Sequence, residues 1–200
     1  MKWAHSPCKR AFDVLAVLAF APLWIPLCVL VAVVVRVGLG APVFFVQERP
    51  GLGGRIFKLI KFRTMETGDA NDAERMTRLG KILRASSLDE LPEFWNILRG
   101  DMSLVGPRPL LTRYLPLYTA EQSRRHAIRP GLSGWAQVNG RNLVSWEDRF
   151  KYDVWYVDHA TFLLDLRIIA LTFINLFRRT GIAAQGHATM REFTGSKKKN

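Results

Sequence analysis

The apolar positions of this chain fall into one long block and several short ones. From Ala11 to Val35 the sequence is almost wholly apolar, interrupted only by Asp13 and bounded by Lys9-Arg10 and Arg36. At about 1.5 Å per helical residue, such a run is long enough to cross a hydrocarbon core about 30 Å thick. Pro22 and Pro26 sit in its middle, where each removes a helical hydrogen bond and crowds the preceding turn, so the pattern predicts a helix that breaks. Lys2, Lys9 and Arg10 precede the run, and Arg36, Arg49, Arg55, Lys58, Lys61 and Arg63 follow it. Basic flanks on both sides mark both ends as cytoplasmic. A segment that enters, breaks at Pro22 and returns to the same face satisfies both observations. A kinked spanning anchor is the alternative. A cleaved signal peptide fits poorly, because Pro22 would follow the scissile bond after Ala19-Phe20-Ala21 and the apolar run continues beyond it.

Beyond this block, Pro42 to Val46 and Ile56 to Phe62 are strand-like runs separated by Arg49-Pro50-Gly51-Leu52-Gly53-Gly54, which predicts a hairpin. Leu79 to Ala85 predicts a short basic helix. Gly100 to Pro109 is predicted to be a loop, since its glycines and prolines disfavour regular structure. Two later stretches, Leu110 to Tyr118 and Phe162 to Phe177, mix leucines with aromatics. Both look interfacial, and the second predicts an amphipathic helix lying in the headgroup plane, with a core helix as the alternative. The expected fold is α+β and helix-dominated. Residues 1–40 form a re-entrant helix-break-helix membrane segment, residues 41–194 a small cytoplasmic catalytic domain, and residues 195–200, with three lysines, a disordered tail.

Composition narrows the function classes. At 200 residues and 48% hydrophobic content, one domain with a real core is expected. The 29 Lys+Arg against 17 Asp+Glu give a formal charge of +12, which suits anionic lipid, phosphorylated substrates or nucleic acid. Nucleic acid is the weakest of these, because the basic residues interleave with apolar segments instead of gathering on a recognition motif. Cys8 and Cys28 are too few for a disulfide framework or a cysteine zinc site, and the four histidines lack ligand spacing.

Candidate chemistry centres on Ser87-Leu88-Asp89-Glu90-Leu91-Pro92. Ser87 and Glu90 have the spacing of a capping box, and taken alone a helix cap is the simpler reading. Adjacent helical residues diverge by about 100°, so Asp89 and Glu90 are expected to do different work instead of sharing a proton. A helix start keeps Asp89 ionised, as a nucleophilic carboxylate requires. Attack on a phosphoryl group needs its repulsion cancelled, for which Arg84 and Arg108 are the nearest cations in sequence. An oxygen-only ligand set at Asp89 suits Mg²⁺. A second constellation runs from Arg129 to Arg141, where Gly131 and its neighbours let backbone N–H groups approach an anion and Gln137 and Asn139 offer amides to a base or sugar. A plain glycine-rich turn is the alternative there.

Taken in order, several motifs carry a resemblance: Lys9-Arg10 with Asp13, Glu48-Arg49-Pro50-Gly51, Lys61-Phe62-Arg63-Thr64-Met65, Ser87 to Pro92, Gly100-Asp101-Met102-Ser103, Gly106-Pro107-Arg108-Pro109 and Arg129 to Arg141. The chain resembles the bacterial sugar transferase family, and within it the small monotopic phosphoglycosyl transferases of the PglC type, over nearly its whole length. The resemblance implies transfer of a sugar-1-phosphate from a UDP-sugar to undecaprenyl (polyprenol) phosphate with release of UMP, at the cytoplasmic face of the bacterial inner membrane. It implies Asp89 as nucleophile and Mg²⁺ ligand, Glu90 as its helper, Lys61, Arg84 and Arg108 on phosphate, and Arg129, Gly131, Gln137, Asn139 and Arg141 on the nucleotide sugar. Membrane lipids and downstream glycosyltransferases are the further partners it implies. The family breaks its membrane helix at a Ser-Pro pair. Here Ala21-Pro22 keeps the proline without the hydroxyl. A membrane-anchored basic adaptor without catalysis is the competing class.

Overall fold

The computed structural model describes residues 3–68, 71–140, 144–178 and 192–195. Helix α1 (Pro7–Ala19) begins where the Ser6 hydroxyl accepts from the Lys9 N–H and Pro7 supplies a preset first turn. Its inner face is Lys9, Asp13 and Val17, spaced by four. Helix α2 (Ala21–Leu39) follows after a single intervening residue, Phe20.

The chain therefore breaks at Phe20 and not at Pro22 as the sequence suggested. Pro22 falls in the first turn of α2, where a missing N–H costs nothing. The Trp24 indole reaches back across the break to the Val17 carbonyl (3.0 Å), satisfying an acceptor in the last turn of α1. Pro26 lies inside α2. Among the described residues, α2 is the one helix long and apolar enough to cross a membrane, with a mean hydropathy of 2.2. Val31 and Val35 are its buried positions, whereas Leu23, Val29, Val33 and Val37 are exposed.

Strands β1 (Phe44–Pro50) and β2 (Ile56–Phe62) form the expected antiparallel hairpin, with Val46 opposite Ile60. A tight loop joins them, in which Gly53 and Gly54 have φ of 63° and 77°, open to glycine at no steric cost. A single turn, α3 (Asp72–Arg75), precedes α4 (Arg78–Ala85), which Thr77 caps by accepting from the Gly80 N–H. After a 3₁₀ turn over Leu88–Glu90 comes α5 (Glu93–Arg99). The remaining elements are β3 (Ser103–Val105), α6 (Ala120–Ser123), β4 (Gly131–Ser133), α7 (Trp135–Val138), α8 (Trp146–His159) and α9 (Phe162–Arg178).

One sequence expectation changes here. The predicted loop 100–109 contains β3, which pairs in parallel with β4. That pairing brings backbones so close that a Cβ on Gly131 would lie 2.0 Å from the Gly106 nitrogen. The stretch Leu110 to Tyr118 forms a 3₁₀ helix over Thr112–Leu117 and is partly buried. Leu110 and Tyr114 are buried with Phe150 and Phe193 in a core cluster. Helix α9 buries one face and leaves apolar residues on another: Asp165 and Ile168 are fully buried, while Leu163 and Phe173 are exposed.

The apolar block shares its core with the rest of the chain. Val17 packs with Leu59, Ile97 and Met102, and Val31 and Val35 pack with Phe62 and Leu83. Asp13, which looked like an interruption of a membrane segment, is 2% exposed inside a polar network. Its carboxylate accepts from Lys9 Nζ (2.8 Å) and Ser103 Oγ (2.8 Å), and Lys9 also pairs with Asp165 of α9 (2.8 Å). A buried charge is tolerated only when paired and hydrogen-bonded in this way.

Candidate active site

The site is assembled where β2, the 88–90 turn, α5 and the Gly106–Pro109 loop converge. Ser87 is the one non-glycine residue with positive φ among those described (57°). This strained conformation turns the chain out of α4 into the turn that carries Asp89 and Glu90. Ser87 makes no side-chain cap, so the capping box expected from its spacing does not form.

Glu90 is the hub of the charges. One of its oxygens faces Lys61 Nζ of β2 (2.7 Å) and accepts from the Arg108 guanidinium. Burial pushes Glu90 upward, but Arg108 and then Lys61 outweigh it and hold the carboxylate well below its usual range. Arg108 is correspondingly pushed up, chiefly by Glu90. Lys61 also lies 2.9 Å from Glu93 Oε1, which has no hydrogen-bond partner of proper geometry and belongs to a side chain only 2% exposed. Burial raises Glu93 to about 7.

Asp89 has the opposite environment. It is 7% exposed, and among the described residues its carboxylate has no hydrogen-bond or ion-pair partner. Burial first, and the Glu90 charge second, raise it above the usual range, against the pull of Lys61, Arg108 and Arg84. The helix start expected to keep Asp89 ionised is not what surrounds it: Asp89 lies in a 3₁₀ turn outside α5, and burial is the largest influence on it.

The surrounding arginines hold the loop that holds Arg108. Arg125 is 2% exposed, pairs with Asp153 of α8 (2.7 Å) and donates to the Arg108 carbonyl (2.7 Å). Arg49 donates to the Pro109 carbonyl (3.2 Å), and burial followed by Arg108 lowers it to about 10. Arg84 Nε donates to Thr64 Oγ1 (3.0 Å). Lys61 and Arg108 thus meet Glu90 directly, with Asp89 and Arg84 close enough to share the same electrostatic site.

The second constellation is placed differently. Arg129 Nε donates to the Gly100 carbonyl (2.9 Å) at the C-terminal end of α5, beside Arg10, which donates to Leu98. That is the end of α5 opposite Asp89. Gly131 serves the close β3–β4 approach. Gln137 donates to the Leu132 carbonyl (3.0 Å) while its Oε1 is buried without a partner, and Asn139 donates to Trp135 (2.8 Å). Arg141 lies outside the described residues.

The profile of the family described as Bacterial sugar transferase matches residues 4–179 of this chain, nearly all of it. The chain belongs to the bacterial sugar transferase family. Among similar family members is the "Uncharacterized sugar transferase EpsL" of Bacillus subtilis, 49% identical over 94% of this chain and 96% of its own length. The "UDP-glucose:undecaprenyl-phosphate glucose-1-phosphate transferase" of Xanthomonas campestris is 42% identical over 82% of this chain, and a protein of the same name from Caulobacter vibrioides is 41% identical over 84%. This chain spans 37% and 69% of those two relatives.

Sequence reasoning missed Glu93, Arg49 and Arg125. Glu93 was open to detection, since it stands three residues after Glu90 on a helix-compatible stretch. Arg49 and Arg125 act through contacts 60 and 17 residues away, and no local pattern signals those.

Proposed function

We propose that this chain is a phosphoglycosyl transferase that moves a sugar-1-phosphate from a UDP-sugar to undecaprenyl phosphate and releases UMP. The observation that carries the reading is a pair of adjacent carboxylates, one buried and one half-buried: half-buried Glu90 is clamped by Lys61 and Arg108, while buried Asp89 has no partner among the described residues. An unpartnered carboxylate among cations is fit for attack on one phosphorus of a dianionic diphosphate.

In this reading an Asp89 oxygen attacks the β-phosphorus of the donor. The new O–P bond forms as the bridging bond to the α-phosphate breaks, and UMP leaves with the electron pair. A phosphate oxygen of the polyprenyl acceptor then attacks the same phosphorus, forming the lipid diphosphate and returning the Asp89 carboxylate. Lys61, Arg84 and Arg108 offset charge on the transferred group. Glu90, held ionised, serves to aim Lys61 and Arg108 and is a poor proton acceptor.

Among the described residues no three His, Cys, Asp or Glu side chains converge on a metal. Mg²⁺ needs only one or two carboxylates when substrate phosphates supply the rest, and the oxygen-only, unpartnered Asp89 fits that demand. Bound there with the donor diphosphate, the ion would supply charge neutralisation.

The same reading sets the protein at the cytoplasmic face of the inner membrane, with α1 and α2 entering and leaving one leaflet. Both ends of the apolar block are fastened to the same domain, which supports this. Arg10 donates to Leu98 of α5 at one end, and Arg63 donates to the Gly40 carbonyl (2.9 Å) at the other. Glycosyltransferases that extend a lipid-linked sugar would consume the product. A screen of UDP-sugars against detergent-solubilised protein, with undecaprenyl phosphate and Mg²⁺, tests the function. Acceptor-dependent UMP release is expected. Salt-sensitive vesicle binding with no UMP from any donor would favour a non-catalytic adaptor.

A further inference from the structure

Asn96 is 0% exposed in the middle of α5, three residues after Glu93 on the same helical face. Its side-chain amide docks onto the free edge of β2. Oδ1 accepts from the Ile60 N–H (3.1 Å), and Nδ2 donates to the Lys58 carbonyl (2.7 Å) and to Asp101 Oδ2 (3.3 Å). One side chain thus makes the two bonds that a neighbouring strand would make at that point. The residue after Ile60 is Lys61, whose ammonium meets Glu90 and Glu93. The Asn96 carbonyl meanwhile accepts from Asp101 (3.0 Å) and Met102 (3.3 Å), at the start of the segment that runs through β3 to Arg108.

We propose that Asn96 is the positioning residue that fixes Lys61 against Glu90 and Glu93, by locking the register of β2 on α5. Its consequence for catalysis rests on the transferase reading, but its consequence for Lys61 does not. Without the amide bridge, β2 keeps to α5 the Lys61–Glu93 ion pair itself and packing such as Leu59 with Ile97, neither of which pins the strand's backbone. A displacement of about 1 Å in such a site costs up to about 100-fold in rate.

Two variants test this. Asn96→Ala removes both bonds to β2 and the one to Asp101, and Asn96→Asp keeps the volume and the acceptor for Ile60 while turning an acceptor toward the Lys58 carbonyl. Ser103→Ala serves as the stability control, because it removes a buried bond to Asp13 away from Lys61. Amine acetylation followed by mass spectrometry reads the lysines individually. Lys61 is expected to react several-fold faster in a folded Asn96 variant, with exposed Lys81 unchanged and Ser103→Ala like wild type. In UMP release, Asn96→Asp is expected to lower kcat about 10- to 100-fold with KM within a few-fold, and to cost less than about 3-fold in a Lys61→Ala background. Unchanged Lys61 reactivity, or kinetic losses that add fully in the double variant, would overturn the proposal. A wild-type chain that releases no UMP removes the transferase reading alone, because the acetylation arm still decides whether Asn96 holds Lys61.

Discussion

Asp89 and Glu90 are adjacent in sequence yet sit in opposite electrostatic states. Glu90 is held low by Arg108 and Lys61, while Asp89 is raised by burial and by the Glu90 charge itself. The division of labour follows from which carboxylate the cations touch.

Arg108→Lys keeps the charge but loses the planar fork that reaches Glu90 while its backbone is gripped by Arg125. A fall in kcat of about 100-fold is expected, with the melting temperature changed by only a few degrees. Wild-type turnover in the lysine variant would remove Arg108 from the site.

Glu93 makes stability depend on pH in a defined direction. Its folded pKa of about 7 exceeds its ordinary 4.5, so between those values the folded state binds the extra proton, and its contribution falls as pH rises. His126 works the other way: burial and Arg125 lower it to about 4, so its effect favours folding as pH rises from about 4 to 6.5. Comparing wild type with Glu93→Gln cancels the histidine. The variant is expected to gain on wild type by a few kcal/mol between about pH 5 and pH 8, read as melting temperature. A difference that is flat with pH would contradict the assignment.

Gly131→Ala separates a packing role from a phosphate cradle. The added Cβ would lie 2.0 Å from the Gly106 nitrogen and 2.4 Å from the Ser133 carbonyl oxygen. A loss of at least about 3 kcal/mol is expected, measured by denaturant unfolding in detergent. Native stability with weakened donor binding would restore the cradle.

The membrane arrangement is open to thiol labelling. In a Cys28→Ser background, native Cys8, which is exposed at the start of α1, and an Ala41→Cys variant mark the two ends of the block. Both are expected to react with an impermeant maleimide from the cytoplasmic side of sealed vesicles. Labelling from opposite sides would make the block a spanning anchor.

Local chemistry explains what could be read from the residues. The hairpin was legible because two β-like runs flank a glycine-rich turn, and the apolar helix because little polar interrupts it. Strands β3 and β4 were not: each is three residues long, and Ser103 pairs with Gly131 across 28 residues. Asp13 read as an interruption of a membrane helix until Lys9 and Ser103 supplied its partners, with Asp165 of α9 sharing Lys9. The Asp89-Glu90 pair could be singled out from its setting, but its electrostatics could not, since Lys61 of β2 and Arg108 reach Glu90 through tertiary packing.

The central claim is that Asp89 carries the transferred group. The direct measurement is intact-protein and peptide mass spectrometry after mixing the protein with a UDP-sugar and Mg²⁺ in the absence of polyprenyl phosphate. A sugar-phosphate adduct on the peptide containing Asp89 is expected, lost on adding acceptor and absent in the Asp89→Asn variant. Turnover by Asp89→Asn at a rate near wild type, or an adduct on another residue, would contradict the account.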